Sequence, residues 1–234
     1  MPSNSGTTLR ASREGRALII AFENPAGIPR LERAVLAQLL DELRSDSADS
    51  STSGIVITGT DKAFAAGAEI SELAALTPLA AREFSLLGQS VMACVERSPK
   101  PVIAAIRGYC FGGGLDLALA CHVRIASPGA QFAHPGASLG ILTGWGGTQR
   151  LPRTLLPGAR SRALELFSTG RTIAASEALL LGLLSRILPA HELLSNATRM
   201  LEESTSIKPR QGKTRDRNRF LFQISVFVLL FIIN

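Results

Sequence analysis

Short apolar runs bordered by turn-forming residues recur along the chain and predict buried strands. Four such runs are Ala17–Phe22, Gly54–Thr58, Val102–Ile106 and Val123–Ala126. Residues 1–15 are polar and predict no regular element. The strands are separated by segments with a different, helical spacing of apolar residues.

The helical segments have recognisable ends. Thr77 can cap a helix that has Pro78 at its first position and continues to about Arg97. Loops are expected at 45–53 and over most of 144–158, which is rich in Gly, Arg and Pro. The predicted helices are Leu31–Arg44, the segment from Pro78, a short one from Gly113 to Ala120, and Arg160–Pro189 with breaks at Gly170 and Gly182.

Alternation of strands and helices predicts an α/β fold with a helical C-terminal region. We expect residues 1–203 to form one domain. Residues 204–234 are atypical, being basic and then apolar. The apolar part, 220–233, has fourteen residues, whereas a transmembrane helix usually needs about twenty. A membrane anchor therefore stays an alternative, beside a strand or helix that a partner covers and an extension unrelated to the ancestral domain.

The net charge of +6 does not indicate a nucleic-acid-binding protein. Six of the 25 basic residues and one of the 19 acidic residues fall in 204–234. The preceding residues are thus close to neutral. The N-terminus has no apolar signal segment, and the three cysteines (Cys94, Cys110, Cys121) lie in apolar surroundings. Free thiols in the cytoplasm are expected, and no spacing typical of metal ligands is present.

Two turns contain small residues where a strand passes into a helix or loop. The first is Lys62–Ile70 (KAFAAGAEI), and the second is Gly108–Asp116 (GYCFGGGLD). Missing side chains let a ligand oxygen approach backbone N–H groups closely, and a helix that begins at Gly113 adds its positive end. Two such donors can form an oxyanion hole, although the same glycines also suit tight packing of a helix on a strand.

At these turns the sequence resembles the crotonase (enoyl-CoA hydratase/isomerase) superfamily. The likeness runs through Ile103–Val123, with its Gly112-Gly113-Gly114 triplet, and continues through Gln131–Gly140 and Gly144–Pro152 (GWGGTQRLP). It covers roughly residues 15–203. It implies a spiral of ββα units, an acyl-CoA thioester ligand, a homotrimer or hexamer, and no cofactor beyond the coenzyme A of the substrate.

The resemblance also assigns site residues. It implies that the backbone N–H groups of Ala68 and Gly113 form the oxyanion hole and that Asp116 is a catalytic carboxylate. The implied substrate-binding positions are Ala66, Ala68, Glu69, Ile70, Tyr109, Gly112, Gly113 and Pro135.

Hydratases of this family use two glutamates, and the sequence departs from both. Asp116 is shorter than glutamate by one methylene group, and Gly136 stands where the second glutamate is expected. Because one positioned acid or base contributes about 10²–10⁴ in rate, efficient hydration is in doubt. His134 is a candidate substitute, but it also suits a packing role. Glu69 suits a structural hydrogen bond, and Trp145 suits a pocket wall.

We therefore carry two hypotheses from different classes. The first is an acyl-CoA enzyme that stabilises a thioester enolate, as a hydratase, an isomerase or another enolate-forming member. The second is a non-catalytic acyl-CoA-binding or scaffold protein, which Gly136 favours.

Overall fold

A computed structural model describes residues 6–203 of the chain. Ten strands form two sheets. The strands are β1 (Thr8–Glu14), β2 (Ala17–Glu23), β3 (Gly54–Thr58), β4 (Ala63–Ala65), β5 (Val102–Ile106), β6 (Tyr109–Phe111), β7 (Val123–Ala126), β8 (Gln131–Ala133), β9 (Ile173–Ala174) and β10 (Arg186–Ile187).

Eight α-helices connect and cover these strands. They are α1 (Arg33–Ala48), α2 (Ile70–Ala74), α3 (Pro78–Glu96), α4 (Gly113–Ala120), α5 (Gly147–Thr154), α6 (Ser161–Thr169), α7 (Ala175–Leu180) and α8 (Leu193–Glu203), with a 3-10 turn at Pro135–Leu139. The expected helical C-terminal region is thus present up to Glu203.

Consecutive strands are divided between the two sheets. The large sheet has the order β1-β2-β3-β5-β7-β10, and the small sheet has the order β4-β6-β8-β9. Each pair β3–β4, β5–β6 and β7–β8 therefore contributes one strand to each sheet, and helices follow the first two pairs. This repeated unit agrees with the expected spiral of ββα units.

The central strands β3 and β5 of the large sheet are covered on both faces because they are apolar on both sides. Ile55 and Ile57 point into the main core with α1 and α3, whereas Val56 contacts the apolar side of α8. The two-residue period of a strand produces this division. Parallel strands buried on both faces read as continuous apolar runs, which is why the sequence predicted them correctly.

The prediction of no regular element in residues 1–15 was wrong. Thr8–Glu14 forms β1, which pairs antiparallel with β2 along its full length. Only Leu9 of this edge strand is buried. A strand with so little burial lacks the apolar alternation by which strands are recognised.

Two predicted loops also needed correction. Helix α1 continues through Ser45–Ala48, and α5 occupies Gly147–Thr154 within the segment expected to be mostly loop. Helix α5 contains Pro152 and begins after Gly146, so its composition concealed it. The segment predicted as helical from Arg160 to Pro189 contains α6 and α7, and also the two-residue strands β9 and β10.

Two glycines make room for the indole ring of Trp145. Trp145 is 6% exposed and contacts Phe84 edge to face, with ring centroids 5.4 Å apart. A Cβ atom added to Gly88 or to Gly113 would lie 2.2 Å from the nearest atom of the indole. The ring therefore packs between α3 and the start of α4.

Replacing Gly88 by alanine should destabilise the fold. The added Cβ would lie 2.2 Å from Trp145 Nε1 and 2.4 Å from two ring carbons. Overpacking of this kind costs about 1–3 kcal/mol, which outweighs the roughly 1 kcal/mol by which alanine exceeds glycine in helix propensity. Urea denaturation should show a reduced free energy of unfolding.

Gly129→Ala is the matched control, since its added Cβ would meet no atom within 4 Å. The free energy of unfolding of this control should lie within about 0.5 kcal/mol of that of the unmodified protein. Equal stability of the two variants would show that Trp145 does not confine Gly88.

Candidate active site

Three turns meet at one edge of the small sheet. Strands β4, β6 and β8 pair parallel to one another, so their carboxyl ends lie together. The turn after β4 contains Ala68, the turn after β6 contains Gly113, and β8 is followed by His134. Strands of only three residues thus bring residues from three distant parts of the chain to one place.

The first two turns touch each other. A Cβ atom added to Gly67 would lie 2.9 Å from the backbone nitrogen of Gly113 and 3.3 Å from the carbonyl oxygen of Phe111. Gly67 has φ +81°, which favours glycine. Within residues 6–203, neither the Ala68 N–H nor the Gly113 N–H donates a hydrogen bond to a protein acceptor. Each of the two predicted oxyanion donors therefore leaves its hydrogen bond unused within the described residues.

Asp116 lies on the first full turn of α4 and is completely buried. Its backbone N–H donates to the carbonyl oxygen of Gly112 at 3.0 Å. The hydroxyl of Thr143 donates to Asp116 Oδ2. Gly147 covers the other oxygen, because a Cβ added there would lie 1.9 Å from Asp116 Oδ1.

Burial raises the pKa of the Asp116 carboxyl to about 7, although the Thr143 hydrogen bond and the positive charge of Arg150 oppose the rise. An apolar environment disfavours the charged form of a carboxyl group. Asp116 therefore gains and loses its proton near neutral pH, as a group that transfers protons should.

His134 faces the same carboxyl group. Its Nε2 atom lies 3.4 Å from Asp116 Oδ1, and its ring stacks on Phe167 with centroids 4.7 Å apart. The side chain is 5% exposed, and burial lowers its pKa to about 3. The imidazole is therefore neutral near pH 7.

Gly136 has no room for a side chain. An added Cβ would lie 2.4 Å from the carbonyl oxygen of Ile141, whose N–H donates to Gly136 O at 2.8 Å. A glutamate at this position would force the turn between these residues to shift. The chain thus lacks the second carboxylate, and the backbone of Ile141 fills the space that its side chain would need.

The remaining predicted ligand positions lie in different surroundings. Glu69 forms an ion pair with Arg30 at 3.6 Å and accepts a hydrogen bond from Ser71, which fits the structural role considered for it. Tyr109 is at the opposite end of β6, exposed and packed on Phe111. Positions Ala66, Ile70, Gly112 and Pro135 lie in or next to the three turns, with Ile70 exposed.

Thr143 and Gly147 were missed by sequence reasoning as part of this site. Their proximity to Asp116 depends on how the segment 139–147 folds back over α4. The glycine pair Gly146-Gly147 was the only signal in the sequence that could have suggested such close packing.

Comparison with known proteins identifies the family. The sequence profile of the enoyl-CoA hydratase/isomerase family matches residues 13–214. The chain belongs to this family. It is 39% identical over 183 residues to the crotonyl-CoA hydratase of Syntrophomonas wolfei, covering 78% of this chain and 69% of that protein. It is 35% identical over 198 residues to the short-chain-enoyl-CoA hydratase of Clostridium acetobutylicum, covering 84% and 75%.

Solved structures agree with the family assignment. The enoyl-CoA hydratase of Bacillus anthracis superposes with a TM-score of 0.78 at 36% identity, covering 83% of this chain and 75% of that one. DspI of Pseudomonas aeruginosa gives a TM-score of 0.80 at 29% identity, covering 89% and 79%. The predicted crotonase-type α/β fold and the enzyme class of the hydratase/isomerase family are thereby confirmed.

Other predictions stay untested. The predictions for 204–234, including the apolar segment 220–233, lie outside the described residues. The predicted domain boundary at residue 203 falls at the end of the described residues. In the part of the chain that the structure describes, no helix combines the length and apolar character needed to cross a membrane.

Asp116→Asn should stabilise the protein more at pH 8 than at pH 5. The folded-state pKa of Asp116 is raised, so the unmodified protein loses stability as pH rises from about 4 to about 7, when the buried carboxyl ionises. Asparagine does not ionise. At 1.36 kcal/mol per pKa unit, and with about two units between pH 5 and the folded-state pKa, the difference in unfolding free energy should move by about 2–3 kcal/mol in favour of Asn.

Urea denaturation at both pH values measures this difference. The exposed Asp41 supplies a control, because Asp41→Asn makes the same chemical change at the protein surface. A pH-independent difference for Asp116→Asn would mean that Asp116 titrates normally.

Proposed function

We propose that this family member binds an acyl-CoA thioester and transfers a proton at the carbon next to the thioester carbonyl, with Asp116 as the proton-transferring group. The observation that carries the proposal is the meeting of the Ala68 and Gly113 turns beside a buried carboxyl whose pKa is about 7. The names of the relatives, which include crotonyl-CoA hydratase, support the substrate class.

The two backbone N–H groups suit the thioester oxygen. When a proton leaves the α-carbon, or when water adds to the β-carbon of an enoyl thioester, negative charge develops on that oxygen. Donors fixed by the backbone are already oriented, and the start of α4 adds a favourable partial charge. One donor in such a site is worth about 10²–10³ in rate.

Asp116 supplies the proton transfer. In isomerisation its carboxylate removes a proton from one carbon of the acyl chain and returns it to another, so a single carboxyl is sufficient. In hydration it takes a proton from water as the hydroxyl adds to the β-carbon, and then protonates the α-carbon. A second carboxylate would assist hydration, and Gly136 cannot supply one.

The closure around Asp116 favours the second hypothesis, a protein that binds acyl-CoA without turnover. Asp116 has no exposed surface, and the hydroxyl of Thr143 occupies Oδ2. Catalysis requires Thr143 to move aside or to pass a proton through its hydroxyl. Hydrogen bonds of catalytic groups often rearrange when substrate binds, so turnover is compatible with the closed arrangement.

Further properties follow from the family likeness. We propose a homotrimer or hexamer, with the coenzyme A of the substrate as the sole coenzyme used. We also propose a reducing compartment, the cytoplasm, which is supported by the three unpaired cysteines. No nucleic-acid partner is proposed.

Asp116→Asn should greatly reduce turnover and preserve binding. Turnover is measured for hydration of crotonyl-CoA and, separately, for isomerisation of a 3-enoyl-CoA. Because a positioned acid or base contributes about 10²–10⁴, kcat should fall by that factor. The dissociation constant of a saturated acyl-CoA should stay within about threefold, since the oxyanion donors are unchanged.

Asp41→Asn is the matched control and should retain full activity. Turnover in the unmodified protein that survives Asp116→Asn would overturn the role of Asp116. Tight binding of acyl-CoA without turnover in either assay would establish the non-catalytic hypothesis instead.

The pH dependence of kcat/KM should show the ionisation of Asp116. A carboxylate that accepts a proton from substrate or water is active when ionised, so kcat/KM should rise with pH and reach half of its plateau near pH 7. The measurement is a profile from pH 5 to pH 9. A midpoint near pH 4 would indicate a solvated carboxylate and contradict the buried arrangement.

A further inference from the structure

We infer that His134 is the positioning partner of Asp116, forming with it a hydrogen-bonded pair that holds the carboxyl group ready for proton transfer. This inference rests on the proposed function for its role in catalysis. The pairing itself rests on geometry alone.

Two buried polar atoms are aimed at each other. Asp116 Oδ1 and His134 Nε2 are 3.4 Å apart, and neither has a hydrogen-bond partner among residues 6–203. Leaving both atoms unpaired costs free energy, because each loses its contact with water on burial. A shift of a few tenths of an ångström would bring them to an ordinary hydrogen-bond distance.

The surroundings favour this pairing over any other for the two atoms. Gly147 covers both, since a Cβ added there would lie 1.9 Å from Asp116 Oδ1 and 3.0 Å from His134 Nε2. Phe167 supports the imidazole ring from α6. The two atoms are so close that no other side chain lies between them.

The pair can exchange roles as Asp116 titrates. A neutral imidazole donates its Nε2 proton to the carboxylate, and in its other tautomer it accepts a proton from the carboxylic acid. The hydrogen bond that the imidazole donates to the ionised carboxylate is the stronger of the two, because its acceptor is charged. His134 should therefore favour the ionised form of Asp116 more than an apolar side chain would.

The other charged or polar groups that face Asp116 are few. Thr143 donates to Oδ2, and Arg150 on α5 provides a positive charge. Cys110 on β6 is buried, with its pKa raised, so its thiol is uncharged. These groups remain in every His134 variant, which allows the contribution of the imidazole to be isolated.

His134→Phe and His134→Gln separate hydrogen bonding from packing. Phenylalanine keeps an aromatic ring against Phe167 and removes the nitrogen, whereas glutamine keeps a donor and acceptor. With His134→Phe we expect kcat to fall at least about tenfold, KM to stay within about threefold, and the pH midpoint of kcat to rise by about one unit. His134→Gln should restore the midpoint to within about 0.3 units. The exposed His191 gives a control, His191→Gln, that should change neither quantity.

A second readout does not depend on turnover. The change of unfolding free energy with pH, measured by urea denaturation, reports the titration of Asp116 directly. His134→Phe should move this titration to higher pH, and the movement should disappear in a background that carries Asp116→Asn. Failure of the proposed function would show as absence of turnover in the unmodified protein, with this coupling still present.

The inference is overturned if His134→Phe leaves both the pH midpoint of kcat and the titration of Asp116 unchanged. Loss of stability alone, without a change in either titration, would also overturn it and assign His134 to packing. If His134→Phe does not fold, His134→Leu is measured in its place. The pairing is then supported only when His134→Leu raises the pH midpoint of kcat and His134→Gln has the same midpoint as the unmodified protein.

Discussion

Parallel pairing of three strands of three residues each is the constraint on which the site depends. Strands β4, β6 and β8 end at one edge of the small sheet, and each end begins a turn that carries a functional group. The large sheet and its covering helices fix where these short strands lie, because each is joined to a longer strand by only a few residues. Strands this short gain little stability from their own pairing, so the ββα arrangement has to hold them.

Close backbone packing at this edge has a definite consequence for electrostatics. Gly114 lets α4 lie directly on β4, since a Cβ there would be 2.1 Å from the carbonyl oxygen of Ala65. Gly147 closes α5 over the carboxyl of Asp116 in the same way. Water is thereby removed from a group that would otherwise be charged, and burial raises its pKa into the neutral range. The glycines thus create the environment in which a carboxyl can exchange protons at neutral pH.

Sequence reasoning predicted the long elements and the family, and missed what depends on short-range geometry. Continuous apolar runs identified β2, β3, β5 and β7, and the Thr77-Pro78 start identified α3. Strands of three residues are too short to show a period of two, so β4, β6 and β8 were not predicted. Asp116 was found through resemblance to the family. Its contacts with Thr143, Gly147 and His134 join residues far apart in the chain, and no local pattern specifies them.

The cost of burying charge accounts both for the absence of a second glutamate and for the presence of His134 beside Asp116. Two carboxylates in a closed space would repel each other, and each would lose its hydration. A neutral imidazole beside Asp116 gives the carboxyl a hydrogen-bonding partner without burying a second charge. The backbone of Ile141 fills the space beside Gly136, so the site is closed around one ionisable carboxyl. An arrangement with one carboxyl can move one proton between two carbons, as proposed for isomerisation, but it offers no second carboxylate at position 136 to help hold a water molecule.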